Sequence, residues 1–87
     1  AMQTKLLKVV GQTDPIYVKT KKGDEAKSTI RLREPGGDYE DEYLCTLWGN
    51  AALLKYPVGN LVSAALRFRI NENGYQDITA NDIILLS

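Results

Sequence analysis

Apolar and polar residues alternate along several short stretches of the chain, a pattern typical of strands that bury one face. The clearest example is residues 28–34, where Ile30 and Leu32 alternate with a threonine and two arginines. Residues 61–70 show the same alternation, with Val62 and Leu66 on the apolar side. We therefore predict a strand at each of these stretches, with one row of side chains in a core and the other row outside.

Three further stretches complete the predicted set of strands. They are residues 6–10 with a short continuation at 16–18, residues 43–48, and residues 75–86 with a bend near 80–82. Asp14 and Pro15 separate the first stretch from its continuation, because proline cannot donate a hydrogen bond to a neighbouring strand. Residues 19–27 contain Gly23 and Asp24 and predict an exposed loop.

One short helix is predicted after the third strand. Asn50 is a favourable N-cap residue, and residues 51–56 would form about two helical turns. Pro57 and Gly59 would then end the helix. A helix between strands 3 and 4 of a five-stranded sheet is the arrangement of the oligonucleotide/oligosaccharide-binding (OB) fold. We predict an all-β chain with one short helix, folded as a five-stranded Greek-key OB barrel and forming a single domain over residues 1–87.

Composition narrows the chemistry that this chain can perform. Its 11 basic and 11 acidic residues give zero formal net charge, so the basic excess typical of nucleic-acid-binding domains is missing. The absence of histidine, with Cys45 as the one cysteine, excludes a Cys/His zinc site and a histidine base. Asp38, Glu40 and Asp41 match no metal-binding loop, so a solvated acidic turn is favoured over a metal site. We expect no enzyme activity, no metal and no cofactor.

Cysteine usage and the N-terminal stretch bear on location. A single cysteine cannot form an intrachain disulfide, which fits a reducing compartment. The residues that lead into the first predicted strand contain no long apolar run, so we expect neither a signal peptide nor a membrane anchor. The predicted location is the cytoplasm.

Five segments, taken in order, resemble the bacterial single-stranded-DNA-binding protein family. They are residues 10–15 (VGQTDP), 19–23 (KTKKG), 47–52 (LWGNAA), 58–62 (VGNLV) and 74–86. The resemblance is spread over nearly the whole chain. It implies an OB fold that binds single-stranded DNA, or RNA, with little sequence preference and no catalysis.

The chain departs from the family pattern in three places. Glu42 stands where the family has a second aromatic residue on strand 3, and no aromatic residue comes immediately before the turn at 71–74. The residues after the last predicted strand show no acidic tail of the kind that recruits other repair proteins. We therefore expect neither tail-mediated recruitment nor tight general protection of single strands.

Trp48 is the leading candidate for contact with bases. Alternation places it opposite Cys45 and Leu47, so it points outward if those two residues are in the core. A base stacked on an exposed aromatic ring contributes about 1–3 kcal/mol. Packing against the helix or in a dimer interface is the alternative.

Arg31 and Arg33 would hold phosphates on either side of Trp48, unless they pair with nearby acids.

Several other side chains complete the predicted binding surface. They are Arg67 and Arg69 on the strand 61–70, Lys19, Lys21, Lys22 and Lys27 in the loop 19–27, and the stacking candidates Tyr17 and Tyr75. The lysines would attract a flexible polyanion, or they are simply solvated surface. The acidic residues between 34 and 42 should repel a polyanion, so a bound strand should avoid that end of the barrel.

The sequence leaves two functions of different classes open. The first is a non-catalytic module whose partner is single-stranded DNA or RNA. The second is a protein-interaction or assembly module that keeps the fold without the ligand, which the zero net charge, the missing aromatics and the acidic hairpin favour. A domain this small buries only about 60% of its unfolded surface, so association would stabilise it. We expect a homo-oligomer, either a dimer or a tetramer, and no membrane partner.

Overall fold

The computed structural model describes residues 2–36, 41–70 and 72–86, and strands make up most of it. In chain order the elements are β1 (Met2–Gln12), β2 (Ile16–Thr20), β3 (Gly23–Arg33), β4 (Glu42–Trp48), α1 (Asn50–Leu53), β5 (Leu61–Ile70) and β6 (Gln76–Leu85). The break at residues 13–15 divides the first strand of the predicted barrel into β1 and β2. The fold is therefore the predicted all-β OB fold, with its helix between the third and fourth strands of the barrel.

The sheet closes because β1 pairs with two neighbours at once. Its first half, from Met2 to Lys8, is antiparallel to β5, and its second half pairs with β3. Between Val9 and Gly11 the register with β3 shifts by one residue, so Val10 is the extra residue of a β-bulge that bends the strand. On the other side of the barrel, β4 and β6 meet through a single parallel pair, Thr46 with Thr79.

The inner face of the barrel is the apolar face that alternation predicts. Ile30 and Leu32 on β3, and Leu47 on β4, are fully buried. Small side chains such as Ala64 and Ala80 fill the positions where strands approach closely. The core consists of Leu7, Val9, Ala26, Ile30, Leu32, Cys45, Leu47, Ala52, Val62, Ala64, Leu66 and Ala80.

The exposed loop predicted for residues 19–27 is wrong, because this segment forms a β-hairpin. β2 pairs with β3 from Ile16 opposite Lys27 to Thr20 opposite Gly23, with only Lys21 and Lys22 in the turn. Gly23 has a φ of 109°, a conformation that side chains disfavour. The Thr20 hydroxyl donates to the Gly23 carbonyl at 2.8 Å and stabilises the turn.

The helix is shorter than predicted, and Asn50 is its first residue and not its N-cap. Gly49 holds the cap position with a φ of 64°, and its N–H donates to the Ala26 carbonyl at 2.9 Å. The helix ends at Leu53 because the Gln12 side chain holds the next residues extended. That amide donates to the Leu54 carbonyl at 2.7 Å and accepts from the Tyr56 N–H at 2.9 Å.

Among the described residues, no helix is long and apolar enough to span a membrane.

The predicted bend in the last strand is confirmed. The register between β5 and β6 shifts between Ser63 and Ala65, because two residues of β6 lie opposite the single residue that separates Ser63 from Ala65. Asp82 within it has a φ of 50°, a left-handed conformation that aspartate tolerates better than most residues.

A polar cluster joins β1 to the β3–β4 connection at one end of the barrel. The Tyr43 hydroxyl donates to Glu34 Oε1 at 2.9 Å, and Lys5 Nζ lies 3.3 Å from the same oxygen. The ammonium of Lys5 is also 5.8 Å from the centre of the Tyr43 ring, which meets Phe68 edge to face. The Tyr43 hydrogen bond, followed by Lys5, holds the pKa of Glu34 below its usual value of 4.5. The same carboxylate raises the pKa of Lys5.

These shifts predict how the cluster responds to acid. A carboxyl group whose pKa is lowered in the folded state stabilises the fold above pH 4.5 and loses that effect as the pH falls through the folded value. Glu34→Gln should therefore lower the urea midpoint at pH 7, and the difference from the wild type should shrink as the pH drops below about 4. Urea unfolding followed by the single tryptophan measures both.

Glu72→Gln is the matched control, because Glu72 is exposed in the turn before β6. It should leave the midpoint unchanged at both pH values. Equal midpoints for Glu34→Gln and the wild type at pH 7 would show that the cluster does not stabilise the fold.

Candidate functional site

The outward-pointing side chains of β3 and β4 form one continuous surface, which we call the outer face. Antiparallel pairing sets the side chains of this face directly opposite one another. Its four cross-strand pairs are Lys27 with Trp48, Thr29 with Thr46, Arg31 with Leu44, and Arg33 with Glu42. The register therefore fixes which cation lies beside which aromatic or acidic side chain.

Trp48 lies on the outer face as predicted, with 38% of its surface exposed. It borders an open hollow of about 190 Å³ whose other lining residues are Lys27, Thr46, Arg69, Asp77 and Thr79. No residue of α1 lines this hollow. Binding pockets for drug-sized molecules usually enclose about 300–1,000 Å³, so the hollow suits a flat group laid on the surface better than an enclosed ligand.

Lys27 is the cation that lies beside Trp48, whereas the sequence analysis placed it among the loop lysines. Its ammonium lies 5.4 Å from the centre of the indole ring, within the range of a cation–π contact. The predicted strand began at Ser28, and one more step of the same alternation would have placed Lys27 on the face of Arg31. The structure thus adds Lys27 to the site.

Arg31 and Arg33 do not flank Trp48, contrary to the prediction. Both lie on the same side of it, toward the start of β4, because the register sets them opposite Leu44 and Glu42. Glu42 binds both of them: Oε1 is 3.3 Å from Arg31 Nε, and Oε2 is 3.7 Å from Arg33 Nη2. The alternative that these arginines pair with nearby acids is therefore what the structure shows.

The two arginines of β5 are both exposed but differ in their relation to Trp48. Arg69 lines the same hollow as Trp48, directly opposite Asp77 on β6. Arg67 pairs with Thr79 on one side and Met2 on the other, and it does not line that hollow. Arg69 is thus the β5 cation that the fold brings to the indole.

The hairpin of β2 and β3 divides its predicted site residues between two sides. Tyr17 lies opposite Ala26 and Lys19 opposite Asp24, so both are on the side that continues the core face. Ile16 and Val18 share the side of Lys27, and Ile16 is 58% exposed there. The pairing of β2 with β3 fixes this division, because alternate side chains of β2 lie on the same side as their partners. Tyr17 and Lys19 are therefore not part of the outer face.

The remaining predicted residues lie around the edges of the described structure. Lys21 and Lys22 are exposed in the hairpin turn, and Tyr75 is 71% exposed just before β6. Of the predicted acidic cluster, Glu34 and Glu42 are paired with cations. Asp38, Tyr39, Glu40 and Asn71 lie outside the described residues.

Cys45 is buried on the core face of β4. Burial raises the pKa of its thiol to about 12, so the thiolate that a nucleophile requires is scarce at neutral pH. Its burial, with that of Leu47, meets the condition under which Trp48 was predicted to point outward.

Comparison with known proteins supports the fold described above. No family model and no curated protein matches the chain in sequence. Among solved structures, the second OB-fold domain of replication protein A from Methanococcus maripaludis has a TM-score of 0.78 at 17% identity, covering 99% of this chain and 84% of that one. The match in fold extends over nearly the entire chain, so the chain has an OB fold.

Two bacterial structures show the same likeness. The SSB domain of a Synechococcus protein has a TM-score of 0.66 at 16% identity, covering 94% of this chain and 91% of that one. A small single-stranded DNA-binding protein from Streptomyces coelicolor has a TM-score of 0.60 at 20% identity, covering 98% and 91%. The predicted resemblance to the single-stranded-DNA-binding family is confirmed as a resemblance of fold.

The contact between Lys27 and Trp48 can be tested in the free protein. Lys27→Ala should make Trp48, the one tryptophan of the chain, more accessible to the neutral quencher acrylamide, because the lysine stem and ammonium cover part of the ring. Lys19→Ala removes the same side chain from the other side of the hairpin and should leave the quenching unchanged. Equal quenching in Lys27→Ala and the wild type would contradict the contact.

Proposed function

We propose that this chain is a non-catalytic OB module that binds single-stranded DNA across its outer face. The observation that carries the proposal is the half-exposed indole of Trp48 with two cations, Lys27 and Arg69, around one open hollow. An aromatic platform beside cations is the combination that binds an unpaired strand, since the ring stacks on a base and the cations hold phosphates.

The arrangement favours binding with little sequence preference. Stacking does not distinguish strongly among bases, because every base has a flat aromatic face. Ile16 and Leu44 add exposed apolar area on the same face, at 58% and 63% exposure. The likeness to solved structures described as single-stranded DNA-binding proteins supports the same choice of ligand.

A titration with oligo-dT tests the proposal. We expect the fluorescence of Trp48 to be quenched at low salt and the affinity to fall as salt rises, with a log–log slope of about −0.7 for each phosphate contact. Trp48→Ala, followed by anisotropy of a labelled oligonucleotide, should weaken binding by about ten- to hundredfold, since stacking contributes about 1–3 kcal/mol. Oligo-rU in parallel compares RNA with DNA.

Tyr17→Ala is the matched control for the loss of an exposed aromatic ring. Tyr17 is more exposed than Trp48 but lies on the other side of the hairpin, so its loss should change the affinity by less than about twofold. Absence of quenching at low salt, or equal weakening by both variants, would refute the proposal.

The predicted homo-oligomer, and with it the alternative of an assembly module, has its own candidate surface. Leu6 on β1 and Ile84 on β6 are 49% and 59% exposed, and both lie beside Ser63 on β5. This apolar row shares no residue with the outer face. Exposed apolar rows of this kind often mark protein interfaces.

Light scattering after size exclusion measures the assembly directly. We expect a dimer or a tetramer for the wild type and a monomer for Ile84→Asp, because the new carboxylate would have to be buried in the interface. Asp82→Asn changes a nearby exposed residue and should leave the mass unchanged. A monomeric wild type would contradict the prediction.

A further inference from the structure

The start of β4 carries a carboxylate that occupies two arginines at once. Glu42 places one oxygen 3.3 Å from Arg31 and the other 3.7 Å from Arg33. Its side chain is 30% exposed, less than that of either arginine, and each of its two oxygens contacts a different guanidinium group. This is the geometry in which two arginines would otherwise bind the oxygens of a phosphate.

We propose that Glu42 is an internal competitor that limits how much of an unpaired strand the outer face can bind. The inference rests on the proposed function. With Glu42 in place, phosphates are held only at the Trp48 end, by Lys27 and Arg69. The end that carries Arg31 and Arg33 contributes little until Glu42 is removed or displaced.

The distance between the two ends makes this separation possible. Glu42 and Trp48 are six positions apart on β4, which corresponds to about 20 Å at the usual rise of a strand. One nucleotide therefore cannot contact both ends, and a short oligonucleotide can occupy the Trp48 end alone. The effect of Glu42 on affinity should therefore depend on the length of the oligonucleotide.

The competition has two parts that reinforce each other. Carboxylate and phosphate are both acceptors for a guanidinium, so a phosphate at Arg31 or Arg33 competes with Glu42 for the same positive charge. Because Glu42 is fixed to β4 and cannot leave the surface, a phosphate bound at Arg31 or Arg33 would then remain close to its negative charge.

The closing experiment measures the affinity of oligo-dT of increasing length for the wild type and for Glu42→Gln. For the shortest oligonucleotides that quench Trp48, the two proteins should bind equally. As the oligonucleotide becomes longer, the affinity of the wild type should stop increasing at a shorter length than the affinity of Glu42→Gln. At the longest lengths Glu42→Gln should bind about tenfold more tightly than the wild type. Its log–log salt slope should be steeper by about 1, as one to two additional phosphate contacts require.

Glu25→Gln is the matched control, since Glu25 points to the same side of β3 but lies opposite Val18, and within the described residues no cation is within 4 Å of it. It should give no gain that depends on length. Glu42→Thr is a second neutral variant with high strand propensity, in case Glu42→Gln folds poorly.

A double-mutant cycle identifies the route by which Glu42 acts. If Glu42 sequesters the arginines, its replacement should give no gain once Arg31→Gln and Arg33→Gln are both present. If replacing Glu42 still gave its full gain in affinity in the variant without both arginines, Glu42 would act by repelling the strand directly, and the proposal would be overturned. Equal length dependence for Glu42→Gln and the wild type would also overturn it, while quenching of Trp48 by short strands would leave the proposed function standing. No binding by any variant would refute both.

Discussion

The double pairing of β1 is the constraint on which the rest of the structure depends. One half of this strand binds β5 and the other half binds β3, so the sheet must curve back on itself around the bulge at Val10. Closure gives every strand an inside and an outside. The inside is filled mainly by apolar side chains, and the charged residues Lys27, Arg31, Arg33 and Glu42 of β3 and β4 lie outside.

Once the sheet is closed, the register between β3 and β4 determines the chemistry of the outer face. It sets Lys27 beside the indole of Trp48 and Arg33 beside the carboxylate of Glu42. A shift of one residue between the two strands would turn the outer row of one of them into the core and expose its apolar row, which burial of both Leu32 and Leu47 forbids. The same apolar residues that stabilise the barrel thus also fix the pairing of charges on its surface.

Alternation along single strands predicted the barrel and the outward direction of Trp48, because burial of every second side chain is a local property of the sequence. Register between strands could not be predicted in this way, and Arg31 and Arg33 were therefore placed wrongly relative to Trp48. The end of the helix depends on the Gln12 side chain, more than 40 positions away in the chain. Tyr17 and Lys19 were misplaced because the hairpin of β2 and β3, which sets the side on which each lies, was not predicted.

The zero net charge of the chain says little about what its outer face can bind. Exposed charges separated by more than about 10 Å are largely screened at 0.1 M salt. The two ends of β4 are separated by about twice that distance. A phosphate near Lys27 and Arg69 therefore responds mainly to those cations and to Asp77, and hardly to Glu42 at the other end of β4. The acidic end repels a strand only where the strand reaches it, so charge on this barrel determines where a ligand can lie more than whether it can bind.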